Sequence, residues 1–253
     1  MIKKFHDRIT RGLRLSDGAY AYLNLEYSRM FKRKGLCSLM SKFKRDGPLY
    51  FRSQGSDFPT MISSFLDGFH RPALKLPPNP VIFDLGMNVG YTVVDFKHHY
   101  PKSRIIGVEM DKGNINIARK NIEGMEDVEI YHAAIYHKND TICYDASDEP
   151  DAFRAQSNSP ENASLVHVEA MTVDQLIARV GVDYVDYLKM DIEGAEQEIF
   201  SNSDLEWLNK IGQVNIEIHE GVDKDMIVAA LTKHGIEVQN HAKHWSSIIG
   251  WRA

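Results

Sequence analysis

The chain has 253 residues, 43% hydrophobic and 26% charged, with 17 Gly and 9 Pro. That balance supports a buried core and excludes a disordered, collagen-like or coiled-coil chain. The net charge of −5 hides two unlike parts: residues 1–47 hold 12 Lys+Arg against 4 Asp+Glu, or +8, and residues 48–253 hold 18 against 31, or −13, which disfavours nucleic acid as a partner of the larger part.

The first 47 residues read as short basic helices, either a solvated surface or a contact for phosphates, lipid headgroups or an acidic partner. No apolar run of signal-peptide or membrane-spanning length follows Met1, and Cys37 and Cys143 form no CxxC, so a reducing, cytoplasmic location is expected. LYFR at 49–52 is a short strand, and FPTMISSFLDGF carries helical spacing through Met61, Phe65 and Phe69. The prolines of RPALKLPPNP then hold an extended linker.

From Val81 strands alternate with helices, the pattern of a parallel sheet covered on both faces. VIFDLG precedes the helix GYTVVDFKHHY, SRIIGVEM precedes NINIARKNIEG, and VEIYHAAIY is the third strand. TICYDAS and SLVHVEAMTV form a hairpin around a polar loop at residues 146–164, expected to select the acceptor. The helix TVDQLIARVG, the strands VDYLKM and QVNIEIH with GAEQEIF between them, the helix DMIVAALTKHG, and an antiparallel pair GIEVQNH and WSSIIGWR complete the chain. The expected organisation is a basic helical extension over residues 1–48 and a doubly wound, Rossmann-like, mostly parallel α/β domain over 49–253.

The first strand enters a turn, Asp84, Leu85, Gly86, Met87, Asn88, Val89, Gly90, in which a ligand can approach bare backbone. The turn lacks the G-x-G-x-x-G of dinucleotide sites, and a carboxylate two residues before its first glycine repels a diphosphate, which argues against a nicotinamide-dependent oxidoreductase. S-adenosylmethionine, a cation without phosphate, suits it, with Asp84 near the methionine end. Glu109 closes the second strand 23 residues after Gly86, near the spacing at which an acid receives ribose hydroxyls. His132 and Ala133 end the third strand, where the adenine would lie.

Alternation along the fourth and fifth strands puts Lys189, Asp191 and Glu193 beside Asn215, Glu217 and His219, with the strand ends pointing into one crevice. Lys189 is expected to bond Glu217 as scaffold. Asp191 and Glu193 have a second reading as caps of the following helix. Two catalytic routes stay open: His219 as general base for a hydroxyl acceptor, or a divalent cation such as Mg²⁺ on Asp191, Glu193 and Glu217 or Glu220. His132, His241 and His244 are further histidines available for the first route.

VIFDLGMNVGYT, IIGVEMD and YLKMDIEGAEQEIF together resemble the FkbM family of S-adenosylmethionine-dependent methyltransferases. That family's turn usually reads DxGANxGxxT. Asp84, Gly86, Asn88 and Gly90 stand at its positions, Met87 replaces its alanine, Thr92 falls one residue before its threonine, and Ser56 with Asp57 falls at its upstream SD pair. The resemblance covers roughly residues 49–252 and implies a class I methyltransferase fold. It also implies S-adenosylmethionine held by these residues with Glu109, Ala133 and Asp191, and a small-molecule, sugar or glycan hydroxyl as acceptor. A non-catalytic cofactor-binding or scaffolding subunit is the alternative, and a homo-oligomer is compatible with either.

Overall fold

The computed structural model describes residues 2–30, 35–145, 165–202 and 204–252. The elements at its start are α1 (Ile2–Leu15), α2 (Ala19–Met30), β1 (Leu36–Leu39), β2 (Leu49–Arg52) and α3 (Asp57–Ile62), which runs into a π-helical turn, Ser63–Asp67. Then come β3 (Val81–Leu85), α4 (Tyr91–His99), β4 (Arg104–Glu109), α5 (Lys112–Asn121), β5 (Val128–His132), β6 (Ala134–Ile135), β7 (Asp140–Asp145) and β8 (Leu165–Met171). The last part holds α6 (Val173–Val180), β9 (Val185–Met190), α7 (Glu196–Asn202), β10 (Ile211–Glu217), α8 (Lys224–Lys233), β11 (Glu237–Asn240) and β12 (Ser247–Trp251).

Seven strands form the central sheet in the order β5-β4-β3-β9-β10-β12-β11, and β12 alone runs against the other six. The chain winds outward from β3 through β4 to β5, then returns to lay β9 on the other side of β3. A topological switch point therefore opens at the carboxyl ends of β3 and β9, the place where such sheets bind ligands. Alternate residues feed the two covered faces. Phe83, Leu85, Leu188 and Met190 pack with α6, α7 and α8 on one side, and Ile82, Ile105 and Tyr187 with α4 and α5 on the other. Side-chain caps start the helices: Asp111 accepts from Asn114 N at 2.7 Å and Thr172 from Gln175 N at 3.1 Å.

Two elements depart from the sequence reading. The third apolar run is not one strand: Ala133 N donates to Glu109 O at the last rung beside β4, and Ala134–Ile135 then pairs in parallel with β8 in a separate β6-β8-β7 sheet. Residues 1–47, read as helices, also contain the strand β1, antiparallel to β2 with Leu39 opposite Leu49. Its alternate residues Cys37 and Leu39 are buried with Leu15, Leu25, Phe51, Phe65 and Tyr91, so the basic segment shares a core with α3 and α4. The polar loop at residues 146–164 lies outside the described residues. Among the described residues no helix is long and apolar enough to cross a membrane.

Candidate functional site

The turn after β3 is built from left-handed backbone: Gly86 at φ +80°, Asn88 at +51° and Gly90 at +81°. Gly86 is required twice over, because a Cβ there would lie 1.7 Å from the carbonyl oxygen of Asp191, where β3 and β9 converge. Gly86 N and Met87 N both donate to Val108 O, and Asn88 N donates to Glu109 Oε2 at 2.9 Å, so the loop is pinned to the end of β4. The Asn88 side chain accepts from Val89 N at 2.7 Å and so serves the turn itself. Met87 is buried, and its sulfur fills the space beside Gly107, where any Cβ would come within 2.4 Å of it.

Asp84, expected beside the cofactor, is fully buried behind this turn and does not line the cleft. Its carboxylate accepts from the Thr92 hydroxyl and faces Lys189 Nζ at 3.5 Å. Thr92 and Lys189 do reach the cleft. The expected Lys189–Glu217 bond is replaced: Lys189 Nζ donates to Gly86 O at 2.7 Å and lies 3.2 Å from Asp191 Oδ2. The register explains this, since Lys189 stands opposite Asp84 on one neighbour and Asn215, not Glu217, on the other. Burial opposes the ammonium charge, yet Asp191 and Asp84 outweigh it and hold the group above an ordinary lysine pKa.

Glu109 sits at the end of β4, nearly buried, with Asn88 N on one oxygen and Asp111 N on the other at 2.7 Å. Burial pushes its carboxyl up to about 7, against the pull of those two donors. His132 Nε2 contacts Met110 O at 3.0 Å, and Ala133 follows directly, so the ends of β4 and β5 adjoin as the spacing requires. Asp57 is elsewhere. It is buried in a two-pronged pair with Arg52, whose Nη2 lies 2.6 Å from Oδ1 and also donates to Asn114, tying β2 and α3 to the start of α5.

At the ends of β9 and β10 the anticipated cluster does assemble. His219 Nε2 lies 3.5 Å from Asp191 Oδ1 and 3.4 Å from Glu193 Oε2, while Nδ1 lies 3.2 Å from Glu196 Oε1. Glu193 adopts φ +58°, an uncommon conformation for a side chain of its size. Glu196, fully buried at the start of α7, accepts from Ile192 N at 2.9 Å and has a second oxygen with no hydrogen-bond partner. Burial works against a charge on His219, but Glu196, Asp191 and Glu193 outweigh it and raise the imidazole to about 9. Burial and then Asp191 push Glu193 up to about 8, and the same two causes raise Glu217, which accepts from Ser246 Oγ at 3.1 Å.

These groups border a cleft of about 370 Å³ whose opposite wall comes from α3, the π-helical turn and the segment after it. That wall brings in His70, which the sequence reading missed, with its Nε2 3.1 Å from the buried Asp95 of α4. Arg71 holds the same carboxylate from a second side at 2.7 Å. The available signal was an acid at 95 between the apolar pair Val93–Val94 and Phe96, a pattern that calls for a buried partner. Glu196, to which the sequence reading gave no role, joins the cluster as well.

Sheet order, switch point and the acid-ended strands define the fold of a class I methyltransferase. The sequence profile of the Methyltransferase FkbM domain matches residues 84–240, and the chain belongs to that family. Among curated relatives, the AMB antimetabolite synthetase AmbE of Pseudomonas aeruginosa is 24% identical over 67% of this chain, which spans only 10% of AmbE. The 2-O-methyltransferase NoeI of Sinorhizobium fredii is 23% identical over 55% of this chain and 68% of its own length. An FkbM methyltransferase from Methylobacillus flagellatus, of known crystal structure, superposes with a TM-score of 0.50 at 13% identity over 96% of this chain and 57% of that chain.

Proposed function

We propose that the protein is an S-adenosylmethionine-dependent O-methyltransferase acting on a hydroxyl of a small molecule, sugar or glycan, with His219 as general base. The observation that carries this reading is the imidazole set among Asp191, Glu193 and Glu196 at the mouth of the switch-point cleft. The likeness to NoeI, a 2-O-methyltransferase, supports the O-directed part.

The residues fit the cofactor. The Gly86–Gly90 turn offers bare backbone to the methionine end, Glu109 keeps lone pairs for ribose hydroxyls at its strand end, and Ala133, buried at the end of β5, would offer its backbone to the adenine. Asp84 is buried and paired with Lys189, so the negative charge that reaches the cleft comes from Asp191, which shares that lysine, and from Glu193 and Glu217 as they ionise with rising pH. The bound cofactor supplies an electrophilic methyl group on cationic sulfur. The protein's share is to hold the acceptor oxygen in line and to take its proton.

Glu196 Oε1, 3.2 Å from Nδ1, favours the His219 tautomer that keeps its proton there and presents a lone pair at Nε2, and Asp191, joined by Glu193 where that group is ionised, stabilises the imidazolium once the proton arrives. A base so placed contributes about 10²–10⁴-fold. Asp191, Glu193 and His219 also lie close enough to share a metal ion; we place a proton there instead, because the surrounding acids raise the imidazole to about 9 and keep it charged, whereas a metal needs it neutral. Turnover is therefore expected to survive EDTA, and loss of activity restored by Mg²⁺ would reverse that assignment.

The cofactor itself is tested by thermal shift: at ~100 times its dissociation constant a ligand adds about 2.7 kcal/mol. S-adenosylmethionine is expected to raise the Tm and NAD is not. Release of S-adenosylhomocysteine with hydroxylated acceptors separates an enzyme from a scaffolding subunit, which would release none.

A further inference from the structure

We propose that the indole of Trp245 is the floor of a carbohydrate subsite that extends the cleft beyond His219, which makes the acceptor a glycan rather than a planar aromatic alcohol. This deepens the methyl-transfer reading and rests on it for the reaction the bound sugar undergoes.

Trp245 is 93% exposed, the most exposed large apolar side chain among the described residues. An indole left in water forgoes about the 1.5–3 kcal/mol that burying a large apolar side chain brings. Its position is not that of a loose tip. Ile218 N donates to Ser246 O at 2.7 Å and His241 N to Ser247 O at 2.9 Å, anchoring the β11–β12 turn to β10 and across its own base. His244 Nδ1 contacts Ser247 Oγ at 2.8 Å, and its ring packs on Phe69 at 4.9 Å. The backbone carrying the indole is thus fixed while the ring faces solvent, an arrangement that removes much of the ordering cost of binding.

A second hollow of about 410 Å³ opens beside it, lined by Ile218, His219, Glu220, Lys224, Trp245 and Ser246. His219 borders this hollow and the main cleft alike. A group lying on Trp245 is therefore within one continuous surface of the proposed base, with the imidazole at the junction.

The chemistry of the lining selects a pyranose. One face of such a ring presents C–H groups that suit an indole face, and its rim presents hydroxyls. Glu220 in the hollow and Glu217 in the adjoining cleft are acceptors for those hydroxyls, and Lys224 is a donor. A flat aromatic acceptor would stack equally well but would gain nothing from these acceptors and the donor around the ring. Phosphorylated or nucleotide ligands would meet four acids, Asp191, Glu193, Glu217 and Glu220, around the same junction.

The test uses the full chain with Trp245→Ala and Trp245→Phe, substitutions at an exposed turn that leave the core untouched. The probes are maltotriose, chitotriose, mannotriose and fucosyllactose as glycans, and catechol as a planar aromatic. Trp207 is buried and Trp251 half-buried, so the emission most open to acrylamide belongs to Trp245. At least one glycan is expected to protect that emission, and Trp245→Phe to abolish the protected fraction. For a glycan that is methylated, Trp245→Ala is expected to raise KM about ten-fold with kcat within about two-fold, cofactor affinity unchanged and Trp245→Phe recovering part of the loss. Protection by catechol but by no glycan, protection by no probe, or an unchanged glycan KM in Trp245→Ala would each overturn the subsite. Glycan protection without any release of S-adenosylhomocysteine would instead leave the subsite standing and sink the methyl-transfer reading beneath it.

Discussion

Gly86 concentrates the constraints of the site in one missing side chain. Its backbone is left-handed, and the carbonyl of Asp191 occupies the volume a methyl group would need. Gly86→Ala combines a strained conformation with a backbone collision, and each costs about 1–3 kcal/mol. A fall in stability of about 3 kcal/mol in urea unfolding is expected, with loss of cofactor binding, and a wild-type midpoint would refute it. His219 and Glu193 make the pH behaviour specific. In the free enzyme His219 holds its proton to about 9 and Glu193 to about 8, so kcat/KM is expected to climb with pH through that interval and His219→Asn to lose the climb along with about 10²–10⁴-fold of rate. Stability moves the other way. An unfolded glutamate ionises near 4.5 while the fold keeps Glu193 protonated to about 8, so the unfolded chain binds fewer protons between those values and stability falls as pH rises. The His219 contribution is whole below 6.5 and is lost as pH rises through about 9. Glu193→Gln removes the first effect, so its Tm relative to wild type is expected to increase from pH 5 to pH 8.5, and a constant difference would contradict the burial of that carboxyl.

At the level of elements, β3 and β9 cooperate through Lys189. The ammonium is buried against Asp84 and Asp191 and donates to the Gly86 carbonyl, so one side chain joins two strands and the turn between β3 and α4. Replacing it with Met keeps the volume but leaves Asp84 buried without a counter-charge, an omission that costs about 3–5 kcal/mol. Lys189→Met is expected to lose that much by chemical denaturation at pH 7 and to recover part of it when Asp84→Asn is added, because the second change removes the uncompensated charge. No recovery in the double variant would show that the two do not interact. The same elements show how far sequence carries. Strand–helix alternation, the glycine turn and the His219 cluster were readable because each depends on residues close in sequence or on the fixed order of a doubly wound sheet. The partner of Lys189 was not, since choosing between Asp84 and Glu217 requires the inter-strand register. The pairing of Asp57 was hidden for a similar reason: an SD pair has no visible preference between a ligand and an arginine five residues upstream. The strand β1 escaped notice because four residues amid charges carry too short an alternation, and only the burial of Cys37 and Leu39 against β2 reveals it.

For the whole molecule, the segregation of +8 and −13 along the chain suggests two loosely joined parts, yet the packing argues otherwise. Leu15, Leu25 and Leu39 from the basic segment are each at most 1% exposed, in one cluster with Leu49, Phe51, Met61, Phe65 and Tyr91. A surface ion pair, Arg11 with Asp67 at 2.8 Å, also crosses between them, but at its exposure it adds about 0–1 kcal/mol. The leucines outweigh it. At about 1.5–3 kcal/mol for each buried side chain, these three alone stand against the 5–15 kcal/mol that separates folded from unfolded chains. Removing residues 1–48 is therefore expected to unfold or aggregate the remainder, or to lower its Tm by more than ~10 °C, because it strips the cover from Phe51 and Phe65 and the pairing partner from β2. Arg11→Glu in the full chain, which reverses charge and spares the core, is expected to leave the Tm within about 2 °C. If the truncated chain melts with the full one, the shared cluster contributes nothing to stability. If Arg11→Glu matches the truncation, electrostatics rather than apolar contact join the two parts.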